Sequence, residues 1–104
     1  MNLQQVEVEL NRLYEALETA VDDLGDAGQA AAALDVAADV ALDSELLKAE
    51  GTVPEKQARA RLFASEAILA AKVSAAKERA AKANLSRIQS QLDVLRSLLS
   101  FMKV

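Results

Sequence analysis

Counting forward from Leu3, the apolar positions Leu3, Val6, Leu10, Leu13, Leu17, Ala20, Leu24, Ala27, Ala31, Leu34, Ala38 and Ala41 follow one another in alternating steps of three and four. Such a repeat keeps one seam of an α-helix turned toward a partner helix, and it is foreign to the two-residue period of a strand. Gly25 and Gly28 fall inside the stripe, and a glycine in a helix interior costs about 1 kcal/mol relative to alanine. The phase nevertheless runs past both without a slip. The pattern therefore predicts one continuous or mildly kinked helix over about 3–49, in preference to two helices joined at Gly25–Gly28.

The punctuation comes at Glu50-Gly51-Thr52-Val53-Pro54-Glu55. Gly51 can take the left-handed conformation that ends a helix, Thr52 can cap the next one, Pro54 suits a first turn, and Glu55 stands three residues after the cap as a capping box requires. The segment 50–53 is read as a turn. No further proline or glycine occurs after it, so a second helix is expected over about 54–103. Its C-terminal half has a seam in Leu85, Ile88, Leu92, Leu95, Leu99 and Met102. Its first half is read through Leu62, Leu69, Val73, Ala76, Ala80 and Ala83, with Glu66 at the missing step, which implies a phase shift after Ala83 and locally straighter packing.

Two helices of nearly equal length joined by a tight turn lie antiparallel. The expected fold is all-α: a long, coiled-coil-like antiparallel helical hairpin, forming a single domain over 1–104. With the turn centred near Gly51 and Thr52, facing residues should have numbers summing to about 103. Apolar residues also lie off the seam, among them Val8, Val21, Val36, Val40, Leu42, Leu46, Leu47, Phe63, Ile68, Val94, Leu98 and Phe101. They are too many for one two-helix interface. A homodimer forming a four-helix bundle is the least demanding way to cover them; the alternative reading is that some form a docking face for another protein.

Composition agrees with close helix packing. The 104 residues include 22 alanines and 16 leucines but only three aromatic residues, Tyr14, Phe63 and Phe101. The chain has no Cys and no His, which removes thiol nucleophiles, disulfides, His general bases and the usual zinc and haem ligands. No enzymatic activity and no cofactor are expected. The N-terminus, Met1-Asn2-Leu3-Gln4-Gln5-Val6-Glu7, is polar and acidic and does not resemble an export signal. The most apolar stretch, 30–42, is interrupted by Asp35 and Asp39 and is too short for a membrane span. A cytoplasmic protein is expected, with no membrane partner.

Charge divides between the halves. Residues 1–50 hold 12 acidic side chains and only Arg12 and Lys48, whereas residues 51–104 hold 10 basic and 4 acidic. The register above would set Glu7 near Arg96, Glu15 near Arg87, Asp22 near Lys82, Asp26 near Lys77, and Asp43 near Arg59 and Arg61. Exposed pairs are worth at most about 1 kcal/mol each, so they would specify orientation more than stability.

Candidate chemistry is sparse. Asp35, Asp39 and Asp43 recur every four residues and could ligate a divalent cation or mimic nucleic-acid phosphates, but carboxylate metal sites in bundles add His or several facing Glu residues, which are missing here. No metal site is expected. The stretch Lys72, Lys77, Arg79, Lys82 and Arg87 is basic enough to touch a nucleic-acid backbone, with Lys77, Arg79 and Lys82 as the contacts, although no aromatic side chains stand beside it for base stacking. Ser86, Ser90, Ser97 and Ser100 have no catalytic base and read as helix-surface residues.

The segment Leu46-Leu47-Lys48-Ala49-Glu50-Gly51-Thr52-Val53-Pro54-Glu55-Lys56-Gln57-Ala58-Arg59-Ala60, with the later Leu92-Asp93-Val94-Leu95-Arg96-Ser97-Leu98-Leu99-Ser100, resembles small helical proteins of bacteriophages and prophages. The resemblance is strongest over the last 60 residues and rests on a hairpin junction and a leucine seam, so it carries over no catalytic residue. It implies an accessory protein in a host bacterial cell that binds a phage or host protein as adaptor or inhibitor. Leu3, Leu10, Leu17, Leu62, Phe63, Ile68, Leu92, Leu95 and Leu99 are the expected interface with itself or that partner. The alternative is an accessory to phage DNA recombination or replication that contacts single-stranded nucleic acid.

Overall fold

A computed structural model describes residues 1–102, and the expected second-helix end at Lys103 lies outside the described residues. Among them the fold is an all-α helical hairpin with helices α1 (Leu3–Lys48), α2 (Val53–Phe63) and α3 (Ser65–Met102). Helix α1 passes through Gly25 and Gly28 without interruption. Its N-terminus is closed by a reciprocal pair: the Asn2 backbone N–H donates to Gln5 Oε1 at 2.9 Å, and the Gln5 N–H donates to Asn2 Oδ1 at 2.8 Å.

The junction is built as its residues dictate. Gly51 holds a φ of +117°, where a side chain is strained, and a Cβ there would also collide with the Glu55 carboxylate. That carboxylate accepts from the Thr52 N–H at 3.3 Å, while Thr52 Oγ1 accepts from the Glu55 N–H at 3.4 Å, completing the capping box of α2 with Pro54 in its first turn. Arg59 Nη1 donates to the Glu50 carbonyl at 3.4 Å.

The second half of the hairpin is not one uninterrupted helix as expected. At Ala64 the backbone turns to φ −92° and ψ 5°, its N–H shared between the Ala60 and Leu62 carbonyls, and the ladder resumes with Ile68 N–H to Ala64 O at 3.0 Å. Neither proline nor glycine marks this break, so the sequence does not announce it.

The chain forms two compact units, Met1–Asp26 with 79–104 and Ala27–Glu78. In the first, Val6, Leu10, Leu13 and Ala20 of α1 and Ile88 and Leu92 of α3 form one buried cluster, with Leu17, Leu85, Leu95, Leu99 and Met102 packed against it. The two seams of this cluster run in matching steps, and setting Leu13 opposite Leu92 and Leu10 opposite Leu95 corresponds to facing numbers that sum to 105. Across this unit Arg96 donates to the Tyr14 hydroxyl from Nε at 3.1 Å and from Nη2 at 3.0 Å, with its guanidinium 5.4 Å from the ring centre.

In the second unit the buried side chains are all small: Ala38, Ala60, Ala64 and Ser74. Ala67, Ala71 and Glu78 are half-buried, whereas Leu62, Leu69, Val73, Ala76 and Ala80 are exposed. This corrects the expected seam. The α2–α3 stripe that meets α1 is Ala60, Ala64, Ala67, Ala71, Ser74 and Glu78, again in steps of four and three, and it continues in the first unit through Ala81 into Leu85 in the same phase. There is no phase shift after Ala83. Small side chains sit inside because they let two helices approach closely, and the leucines are turned out. Gly28 lies against the Glu78 carboxylate in this unit, and their numbers sum to 106, about three above the expected sum.

The ion pairs among the described residues are Glu9–Arg12, Glu45–Lys48 and Asp93–Arg96, each three residues apart within one helix. The expected pairs of Glu7 with Arg96, Glu15 with Arg87, Asp22 with Lys82 and Asp43 with Arg59 or Arg61 do not form. Arg96 is taken by Tyr14 and Asp93, Arg87 bonds Asn84 Oδ1 at 2.7 Å, and Arg59 bonds the Glu50 carbonyl.

Candidate docking surface

The unit Ala27–Glu78 has an inverted distribution of apolar side chains. None of its large hydrophobic residues is buried: Leu34, Leu42, Leu46 and Ile68 are half-buried, and Val36, Val40, Leu47, Val53, Leu62, Phe63, Leu69 and Val73 are exposed. Leu47 is 90% and Phe63 70% exposed, values that leave most of each residue in water. Scattered surface hydrophobes are ordinary, but here they accumulate on one unit whose own core is alanine, which makes it the candidate for an interaction surface.

One flank of the seam forms a groove of about 630 Å³ between α1 and α2–α3. Leu42, Ile68 and Leu69 supply its apolar lining, Asp35 and Asp39 stand on the α1 wall, and Arg61 and Lys72 on the opposite wall. The acidic row comes from the four-residue spacing on α1, and its charges are not paired across the groove among the described residues. Such a trough offers an apolar floor and one sign of charge on each wall.

The interface residues expected from sequence separate into two groups. Leu10 and Leu92 are buried, and Leu17, Leu95 and Leu99 pack against the cluster they form, so the chain's own core occupies them; Leu3 is 43% exposed at its edge. These leucines are closed off by the hairpin because their steps match those of the facing helix. Leu62, Phe63 and Ile68 remain on the surface of the second unit, with Ile68 in the groove.

Lys77, Arg79 and Lys82 are exposed on α3 but do not share a face. At about 100° per residue, Arg79 and Lys82 lie some 60° apart and Lys77 well over 100° from either. Among the described residues no three Asp, Glu, His or Cys side chains converge in a way that could hold a metal ion, the row Asp35, Asp39 and Asp43 included. No helix among them is long and apolar enough to cross a membrane. Glu9 is held below the ordinary carboxylate range by its hydrogen bond and charge interaction with Arg12, on the exposed face of α1.

Compared with known proteins, the chain matches no family model, no curated protein and no solved structure.

Proposed function

We propose that this protein is a non-enzymatic binding module whose groove on the Ala27–Glu78 unit receives an amphipathic helix of a partner protein. The observation that carries the reading is the inverted unit itself: an alanine and serine interior with every large apolar side chain half or fully in water. Leaving these residues wet forgoes about 25 cal/mol for each Å² that a partner could cover. A helix with an apolar stripe suits the trough between α1 and α2–α3, with basic residues along the edge facing Asp35 and Asp39 and acidic ones along the edge facing Arg61 and Lys72. The resemblance of the junction and leucine seam to phage and prophage helical proteins supports an accessory role, with the partner a phage or host protein in the bacterial cytoplasm.

The test is capture from a bacterial host extract on immobilised protein, followed by the molar mass of the recovered complex. The wild-type chain should retain a partner at fixed stoichiometry, Leu69→Glu should lose it, and Val94→Glu, on an exposed position of the other unit, should keep it. Equal loss in both variants, or retention in both, would sink the groove as the site. Nucleic-acid contact has less support, because Lys77 stands away from Arg79 and Lys82 and no aromatic side chain accompanies them.

A further inference from the structure

The flank of the seam opposite the groove carries a second stripe. On α1 the row one position before the seam, Ala30, Ala33, Ala37, Val40, Ser44 and Leu47, advances in steps of three and four and contains no charge. All but Ser44 are exposed. At the corresponding heptad places on the other side of the seam stand Arg59, Phe63, Glu66, Ala70, Val73 and Lys77, of which Phe63, Ala70 and Val73 are apolar. A helix with two seams about 100° apart packs against two neighbours, and the hairpin supplies only one.

We propose that the second neighbour is the α2–α3 strand of the hairpin from another copy of this chain, the two copies being related by a two-fold axis parallel to their helices. Charge is what selects a copy. Within this unit α1 and the residue pair after it carry five acidic side chains and Lys48, while 51–78 carry five basic and three acidic ones. No ion pair among the described residues joins these two segments, so their opposite charges stay uncompensated across the seam. The two-fold arrangement sets every α1 between its own α2–α3 and that of the other copy, so acidic and basic helices alternate around a four-helix bundle and like helices lie on the diagonals. An axis parallel to the helices preserves height along them. With facing numbers summing to about 106, Val40 of one copy then comes within about 4.5 Å in height of Phe63 of the other, and Asp43 of one within about 6 Å of Arg59 of the other, a step the long arginine side chain spans to make an ion pair that does not form inside the chain.

This surface is distinct from the groove and the inference does not rest on the groove's occupant. Light scattering after size exclusion should give twice the 11.1 kDa chain mass for the wild type. Val40→Glu/Leu47→Glu should halve that mass with helical circular dichroism retained, and Leu69→Glu should leave it unchanged. Because the chain has no cysteine, an equimolar mixture of Val40→Cys and Phe63→Cys chains can be oxidised and its cross-linked peptides weighed. Mixed 40–63 disulfides should dominate. A monomeric wild type, a dimer that survives the double glutamate variant, a dimer lost in Leu69→Glu, or a predominance of 40–40 disulfides would each overturn the proposal. Loss of partner capture in Leu69→Glu with the dimer mass intact concerns the groove alone.

Discussion

Gly25 and Gly28 sit three residues apart in the same helix, and the fold predicts opposite consequences for filling them. A Cβ on Gly25 meets nothing within 4 Å, so Gly25→Ala should collect the full helix-propensity gain of about 1 kcal/mol. For a chain of this size that raises the melting temperature by about 4–8 °C. A Cβ on Gly28 would stand 3.0 Å from Glu78 Oε2, closer than an ordinary van der Waals approach. Glu78 is half-buried in the α3 seam and must leave its rotamer to make room, at a cost of about 0.5–1.5 kcal/mol. Gly28→Ala should therefore come out near neutral. Adding Glu78→Ala removes the obstruction, so in the Glu78→Ala background the Gly28→Ala substitution should recover the gain seen at Gly25. Thermal unfolding by circular dichroism of the two singles and the double-mutant cycle measures this directly. If Gly28→Ala stabilises as much as Gly25→Ala and shows no coupling to position 78, Glu78 does not face Gly28 and the register of the second unit is wrong.

Other perturbations follow from the same contacts. Gly51→Ala should destabilise by about 1–2 kcal/mol, since it adds a left-handed strain and displaces the Glu55 carboxylate from the Thr52 N–H, and Thr52→Ala by about 1 kcal/mol; urea unfolding checks both. Leu92→Ala, at 1% exposure in the centre of the first unit, should cost about 2–5 kcal/mol, whereas Val94→Ala, 66% exposed on the same helix, should stay within about 0.5 kcal/mol. The Glu9–Arg12 pair depresses the Glu9 carboxyl, so its contribution is present above the ordinary carboxylate range and is lost as the pH falls through the depressed value. A carbon-detected NMR titration should show the Glu9 midpoint rising toward the ordinary value in Arg12→Gln.

Much of the hairpin was written in the chain's spacing. The α1 seam from Val6 to Ala41 is buried or half-buried throughout, and the Gly51–Glu55 junction folds as its residue types require, because glycine at positive φ and a Thr-x-x-Glu box have few alternatives. The Asn2–Gln5 box closes the start of α1 with an Asn-x-x-Gln spacing of the same kind, a signal equally present in the sequence. The front of the second helix is less legible. Weighting residues by size favours Leu62, Leu69 and Val73, but stepping back from Leu85 by four and three passes through Ala81, Glu78, Ser74, Ala71, Ala67, Ala64 and Ala60, the stripe the structure buries. Periodicity carried the answer where hydrophobicity misled, because a seam of close-packed helices is selected for small volume. The same stepping narrows the register: the two leucine seams mirror each other where facing numbers sum to 105, and a heptad to either side at 98 and 112, of which 105 is the match nearest to the sum set by the turn. The cross-helix ion pairs failed for a different reason, since long exposed side chains find partners on their own helix or on a ring as readily as across a seam.

The candidate surface was legible in part. Phe63 and Ile68 stand out in the sequence as apolar residues that one seam cannot cover, and the acidic row as candidate chemistry, but their convergence on the Ala27–Glu78 unit depends on the seam phase. With Leu62, Leu69 and Val73 inside, the unit would have an ordinary apolar core and little left to bind with.

That inversion is the claim on which the rest stands, and thiol labelling reads it directly in a chain without native cysteine. Ala64→Cys and Leu69→Cys place single thiols five residues apart, one at 3% and the other at 61% exposure in the native side chain. Reaction with a thiol reagent under native conditions should be fast at position 69, close to its rate in denaturant, and slower by at least an order of magnitude at position 64. A protected thiol at 69 with a reactive one at 64 would contradict the account, returning the large side chains to the interior and removing the docking surface with them.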